Sequence, residues 1–263
     1  MIRESRIDLK AACVALVSAS CFLGMHSARA EWNFGIGTGV SQLNIEGDQG
    51  FNTQIAGPVV FPVDMDPDDV SDLMESAFGF GGYATNGTWV IQYSLVNLAL
   101  EGQAFQTVAD TTVGARLGFD VTGAEVAFGY PIVQGESGVL RVIFGVRYLE
   151  HDLSADLSVG ANTASRGVDY DWTDVLVGLT ADVPLGDDGK WSWNARLDAS
   201  GGDSEGTTLF NTGLTRRFGE TWSAGISVTS QDLDLENGVP GDSDFYLYDA
   251  DETSLGINFL YHW

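Results

Sequence analysis

Beyond its first thirty residues this chain has no cysteine; Cys13 and Cys21 are its only two. A mature protein that begins after residue 30 therefore has neither disulfides nor thiolate metal sites, which excludes a disulfide-stapled scaffold. Long apolar runs are missing too. No stretch past residue 30 approaches the roughly eighteen uninterrupted apolar residues of a transmembrane helix. Positive charge is scarce, with 12 Lys and Arg against 37 Asp and Glu and a net charge of −25. A surface so acidic excludes nucleic-acid binding, which needs a basic footprint. Histidine is nearly absent: past residue 30 only His151 and His262 remain as neutral-pH bases.

What is present begins with a leader. Arg3, Arg6 and Lys10 form a basic start, diluted by Glu4 and Asp8, and residues 11–24 are apolar. Ala28-Arg29-Ala30 supplies a small-x-small cleavage site, so residues 1–30 are expected to be a Sec-type signal peptide and residues 31–263 the mature domain. Cys21 has Ser18 rather than a leucine-like residue three positions before it, which argues against lipidation. Removing the leader's four basic and two acidic residues leaves 8 against 35, a net charge of about −27.

The mature chain alternates apolar and polar residues with period two, the mark of strands with one greasy and one wet face. The clearest segments are Trp32–Ser41, Phe78–Gly81, Trp89–Leu95, about Thr111–Ile132 (with Val126, Phe128, Tyr130 and Ile132 on one face), Leu140–Tyr148, Asp174–Val183, Trp191–Asp198, Trp222–Val228 and Ser254–Trp263, with a less regular strand near 207–218. Four tight turns, near 86–87, 134–138, 186–189 and 219–221, alternate with longer polar connections. Short turns on one side and long loops on the other are the asymmetry of a transmembrane β-barrel. The expected fold is all-β, an antiparallel up-and-down barrel of about ten strands, eight or twelve being the alternatives. Closure follows because an open edge in lipid would leave backbone polar groups unpaired.

Aromatic residues gather beside the short turns: Trp32, Trp89, Tyr130, Trp191, Phe218, Trp222, Tyr261 and Trp263. They are expected to form the periplasmic girdle, where amphipathic rings sit at the membrane interface. Charged strand residues keep to the polar parity: Glu125, Asp174, Asp182 and Asp198 against Arg141, Arg147, Arg196 and Arg217. Facing one lumen, they are expected to neutralise one another. Barrels of eight strands are just filled by side chains, whereas open aqueous channels belong to sixteen or more, so a plugged lumen is favoured over a narrow channel for cations or small solutes.

The final ten residues, with Leu255, Ile257, Phe259, Tyr261 and Trp263 on one face, resemble the C-terminal strand signal of bacterial outer-membrane barrels. Further blocks carry a wider resemblance. They are Asp66–Met74 with the Phe78–Leu95 hairpin, Val146–Leu149, Trp172–Leu179 and Arg196–Gly202. Together they resemble a family of proteobacterial outer-membrane β-barrel proteins of the small OmpA/OmpW-like type. The chain departs from it at Ser227–Ser230, where that family often has Gly-Tyr-Arg-Tyr. The resemblance implies an outer-membrane barrel of a Gram-negative cell, in contact with membrane lipid and lipopolysaccharide and recognised by the barrel assembly machinery through its last strand. It implies no cofactor and no reaction. A monomer is expected.

Asp66, Pro67, Asp68 and Asp69 read as the start of a short helix in the first long loop, with Val70, Leu73, Met74 and Ala77 on one face. A structural lid is expected there, since the spacing and glycine of a calcium loop are missing. Divalent cations at the acidic loops are the remaining partner suggestion. A hydrolase, omptin-like or acting on lipid, would need a base at the outer rim. His151-Asp152, with Ser154 and Asp156 nearby, is the one candidate, without a paired acid spacing on a facing strand. His262 is expected to be an interfacial side chain, and the protein is not expected to be an enzyme.

Overall fold

The computed structural model describes residues 32–53, 57–108, 111–159 and 162–263. The leader and its cleavage site lie outside them. The elements in chain order are β1 (Asn33–Thr53), β2 (Gly57–Met65), α1 (Pro67–Leu73), β3 (Met74–Thr85), β4 (Val90–Val108), β5 (Thr111–Gly135), β6 (Gly138–Val159), β7 (Asn162–Leu185), β8 (Trp191–Gly202), β9 (Gly206–Phe218), β10 (Trp222–Asn237) and β11 (Tyr246–His262).

Ten of these strands form a closed antiparallel barrel, each paired with its neighbours in order from β3 to β11, with β1 between β11 and β3. β11 closes on β1 through a long ladder from Gly35↔His262 to Phe51↔Tyr246, and Phe34 and Trp263 exchange both backbone hydrogen bonds. The eleventh strand, β2, pairs only with β1. The β1–β3 ladder stops at Thr38↔Phe80, and β2 takes over at Ile45↔Met65, so the ring is stepped at this point. Pro58 and Pro62 suit a strand with one free edge, where a missing N–H costs no ladder bond and blunts pairing with other chains.

Strand length corrects one expectation. The connections read as long polar loops are for the most part strand. β6 has 22 residues and β7 has 24, whereas a tilted strand needs only about 9–11 to cross a membrane. The barrel therefore continues well past the lipid, and its polarity turns inside out on the way.

On β6, Leu140, Val142, Phe144, Val146 and Tyr148 face outward and Arg141 and Arg147 inward; above them Glu150 and Asp152 face outward and Leu149, His151 and Leu153 inward. The other strands flip at the same height: Val175 gives way outward to Asp171 and Asp169 on β7, Val228 to Asp232 and Asp234 on β10, and Leu255 to Asp251 and Asp249 on β11. The acids placed in loops by sequence therefore stand on strand faces just above the apolar band. Water explains the flip. In lipid the outer face must be apolar and the lumen takes the charges; in water the outer face is polar and the interior packs as an ordinary core.

That core contains Ile45, Val70, Leu100, Trp172, Leu233, Leu235, Tyr246, Tyr248 and Ala250, with Leu43, Leu98, Phe119, Leu149 and Leu153 packed against it. Its members come from β1, α1, β4, β5, β6, β7, β10 and β11, so it joins strands from opposite sides of the barrel.

α1 seals the step beside β2. Asp66 caps it, its Oδ1 accepting from the backbone N–H groups of Asp68 and Asp69 at 2.9 and 3.0 Å, while Asp69 accepts from the Asp66 N–H. Val70 is its buried residue. At the opposite end all eight expected girdle residues are exposed on the rim. Trp89 packs on Tyr130 and Trp222 on Tyr261, each with centroids 5.0 Å apart. The Arg216 guanidinium lies over the rings of Trp191 and Phe218, the favourable placement for a cation beside an aromatic belt.

Candidate functional site

Within the membrane-spanning half, four of the lumen charges form a closed ring. Glu125 on β5 stands directly opposite Arg147 on β6. Arg147 Nη2 donates to Glu125 Oε2 at 2.9 Å and to Asp198 Oδ1 at 2.8 Å. Arg196 Nη1 donates to Glu125 Oε1 at 2.7 Å and its Nε to Asp198 Oδ2 at 2.5 Å. Each acid thus holds two guanidinium groups and each guanidinium two acids, and Asp198 is 3% exposed. Gly178 makes room for this: a Cβ there would sit 2.4 Å from that of Asp198.

Asp174 joins less directly, through Ser200, which lies between it and Arg147. Asp174 also accepts from the hydroxyl and the N–H of Ser204. Arg141 and Asp182 make a separate pair toward the short-turn rim, and Arg217 faces Tyr83 and His262. The eight lumen charges thus divide into a ring of four, an attached acid, a second pair and one residue in a different cluster.

His151 is not at a rim. It is 2% exposed, at the centre of an aromatic box built by Phe119, Trp172, Tyr246 and Tyr248, each ring edge-on to the imidazole at 4.9–6.0 Å. Its Nδ1 shares a hydrogen bond of 2.8 Å with the Tyr246 hydroxyl. Burial lowers its pKa to about 3, so the imidazole is neutral. Asp152, adjacent in sequence, points to the opposite face of β6. The grouping of His151 with neighbouring carboxylates expected from sequence is therefore not formed.

His262 also departs from its expected place. It faces the lumen, with Nδ1 2.9 Å from the Tyr83 hydroxyl and Nε2 2.8 Å from Ser223 Oγ. A serine bonded to a histidine is the start of a nucleophilic site. Here a phenol stands where a carboxylate would orient the ring, and Ser223 is 4% exposed, leaving no approach for a substrate. The cluster ties β3, β10 and β11 together.

A cavity of about 480 Å³ lies in the upper half, beside the free edge of β2. This lies within the usual range for ligand pockets, about 300–1,000 Å³. Phe51, Phe61, Leu73, Leu117, Leu153 and Val168 make most of its wall, with Phe51 and Phe61 meeting edge to face at 6.0 Å. Its polar wall is Gln49, Asn52, Asp64, Ser154 and Tyr170. Among the described residues no group of three or more acids or histidines is arranged to hold a metal ion. Sequence reasoning missed this cavity because it took the strand beginning at Leu140 only as far as Tyr148, although alternation continues unbroken through Leu149, His151 and Leu153 of β6 with the apolar parity exchanged.

No family model matches the chain, and no curated protein sequence does. Solved structures do. The outer-membrane protease OmpT of Escherichia coli has a TM-score of 0.50 at 8% identity, with 88% of this chain and 96% of that chain covered. The translocator domain of the autotransporter NalP of Neisseria meningitidis has 0.42 at 13% identity, covering 96% and 97%. The attachment invasion locus protein Ail of Yersinia pestis has 0.35 at 10% identity, covering 88% and 99%. The chain has the fold of outer-membrane β-barrels. At these identities the likeness concerns the fold alone.

Proposed function

We propose that this is an integral outer-membrane protein of a Gram-negative cell, exported by the Sec pathway, with a non-conducting lumen and a rigid outward extension that serves the cell surface rather than a reaction. One observation carries the reading: an apolar core, drawn from seven of the ten barrel strands and α1, occupies the barrel interior above the charge ring. Water and ions crossing there would have to part buried leucine and aromatic side chains, a dry constriction of the kind that blocks permeation. The ring below it adds a second barrier of mutually satisfied charges. No base, nucleophile and orienting acid converge on an accessible surface among the described residues, which is the support for a non-enzymatic role.

Lipid and lipopolysaccharide then surround the apolar band, and the assembly machinery engages the last strand. The acidic outer faces of β7, β10 and β11 meet the headgroup layer, where divalent cations would offset their repulsion from anionic headgroups. The test is conductance in planar bilayers. Purified protein is expected to give no steady open steps at moderate voltage, and Leu235→Gly with Tyr246→Gly is expected to create them. Steady steps from the unaltered protein would replace this reading with the narrow channel.

A further inference from the structure

The upper half of β7 has a strand on one side only. β7 pairs with β6 from Asn162 to Asp182, whereas its ladder with β8 begins at Asp174. At Thr173 the β8 side is finished by Asp203, whose N–H donates to the Thr173 carbonyl at 3.4 Å and whose carboxylate accepts from the Thr173 N–H at 3.1 Å. Thr173 therefore turns both backbone groups away from β6. By the period of two, Asp169, Gly167 and Ser165 do the same, while Val168 and Tyr170 turn theirs toward β6. Among the described residues no strand meets that side of Ser165–Asp169. A row of N–H and C=O groups left in this way is a template for a further strand. The free edge of β2 is blunted by Pro58 and Pro62, but β7 carries no proline between Asn162 and Thr173.

The flanking side chains say which kind of strand fits. On the outer face Asp169 and Asp171 stand along the edge. The indole N–H of Trp172 donates to the Glu236 carbonyl at 3.2 Å, which brings the end of β10 to the foot of the edge, and Asp203 and Glu205 lie in the turn between β8 and β9. Partial desolvation and the nearby charges of Asp234, Glu205 and Asp249 push the Glu236 carboxyl above its usual pKa, so negative charge accumulates there. On the inner face the edge carries Val168 and Tyr170. A second copy of this chain, of net charge −25, would set acid against acid. A strand that is basic on one face and apolar on the other is complementary on both.

We infer that the free edge of β7 docks an extended segment of another protein in which lysine or arginine alternates with apolar residues. The segment adds as a strand beside Ser165–Asp169, with its basic side chains over Asp169, Asp171 and Glu236 and its apolar ones beside Val168 and Tyr170. This deepens the surface role proposed above and rests on it, yet the tests part: steady conductance would sink the closed lumen and leave this edge as it is.

The experiment adds a fluorescent peptide of alternating lysine and valine, capped at both ends and roughly 30 Å long when extended, to the purified protein in nanodiscs of zwitterionic lipid. Empty nanodiscs are the reference. Anisotropy is expected to show saturable binding that weakens several-fold as salt is raised. With peptide bound, exchange of the Ser165, Gly167 and Asp169 amides is expected to slow, while Val168 and Tyr170, already bonded to β6, keep their rates. The same peptide N-methylated throughout keeps its charge, loses its donors and is expected not to bind. Gly167→Pro removes one N–H of the free edge and none of the β6 ladder, where an added Cβ meets only the Leu153 carbonyl at 3.6 Å; it is expected to weaken binding at least about tenfold. Asp169→Lys with Glu236→Lys is expected to do the same through charge, so the result does not depend on one variant folding. Each is first checked for the gel shift of a folded barrel between unheated and boiled samples. The inference is overturned by anisotropy that matches empty nanodiscs, by an N-methylated peptide that binds as tightly, or by binding that survives both folded variants. Edge protection that grows with protein concentration instead of peptide also overturns it, and gives the edge to a second copy.

Discussion

The imidazole Nδ1 of His151 and the hydroxyl of Tyr246 lie 2.8 Å apart although 95 residues separate them in the chain. The bond joins β6 to the start of β11 across the barrel, inside a core where the rings of Phe119, Trp172 and Tyr248 also stand edge-on to the imidazole. A polar pair so placed makes the upper half of the barrel sensitive to acid. When that half opens, the imidazole returns to its ordinary pKa near 6.5; closed, it holds a proton only near pH 3. The open state therefore binds more protons between these values. The closed state keeps its full advantage above pH 6.5 and loses it as pH falls toward 3, at up to about 1.4 kcal/mol per pH unit. The opening free energy of the upper half, taken from hydrogen exchange after division by the intrinsic amide rate at each pH, is expected to fall across this window and to lose that pH slope in His151→Leu. An unchanged slope in that variant would assign the effect to other groups.

Arg147 holds two buried acids at once. Arg147→Met is expected to destabilise the barrel by about 3–5 kcal/mol, because Glu125 and Asp198 then keep their charge with half its compensation. Urea unfolding in lipid vesicles measures it. A double replacement, Arg147→Met with Glu125→Leu, is expected to recover part of the loss, since it removes an acid together with its partner.

The polarity flip gives a position-dependent expectation. Val177 faces outward on β7 within the apolar band and is 60% exposed there. Val177→Lys is expected to cost about 2–4 kcal/mol, the value for a basic residue near the bilayer midplane. Asp171→Lys, six residues along the same face, is expected to be nearly neutral in unfolding experiments. Equal costs at the two positions would place the membrane boundary elsewhere.

Asp66 is the capping residue of α1 and satisfies two N–H groups with one carboxylate oxygen. Asp66→Ala is expected to cost about 1 kcal/mol. The effect is local, so limited proteolysis between β2 and β3 is expected to speed up while the unfolding midpoint of the whole barrel barely moves.

Much of the lower half was legible in the sequence because each of its strands separates two unlike solvents. Leu140 to Tyr148 alternate against Arg141 and Arg147, since one face meets lipid and the other a polar lumen. Asp66 and Pro67 announced α1 by local chemistry alone, and the eight aromatic residues announced the rim. The upper half was less legible for a physical reason. Its outward Glu150 and Asp152 and inward Leu149 and Leu153 follow the same alternation with exchanged roles, and a polarity rule learned in lipid reads that exchange as the end of a strand. β2 was missed as well; its Pro58 and Pro62 suit only a strand with a free sheet edge, which pairing alone reveals.

By itself the sequence determined the barrel, its approximate strand number, the parity of its charges and the aromatic rim, because backbone satisfaction in lipid permits few alternatives and period two records which face is wet. Only the tertiary structure decided which of eight charges meet, that His151 is buried among rings rather than set at a rim, and that a mostly apolar chamber lies beside β2. Those outcomes depend on side chains from strands distant in sequence arriving at the same height of the barrel. That height is set by the stagger between strands, which alternation along a single strand does not encode.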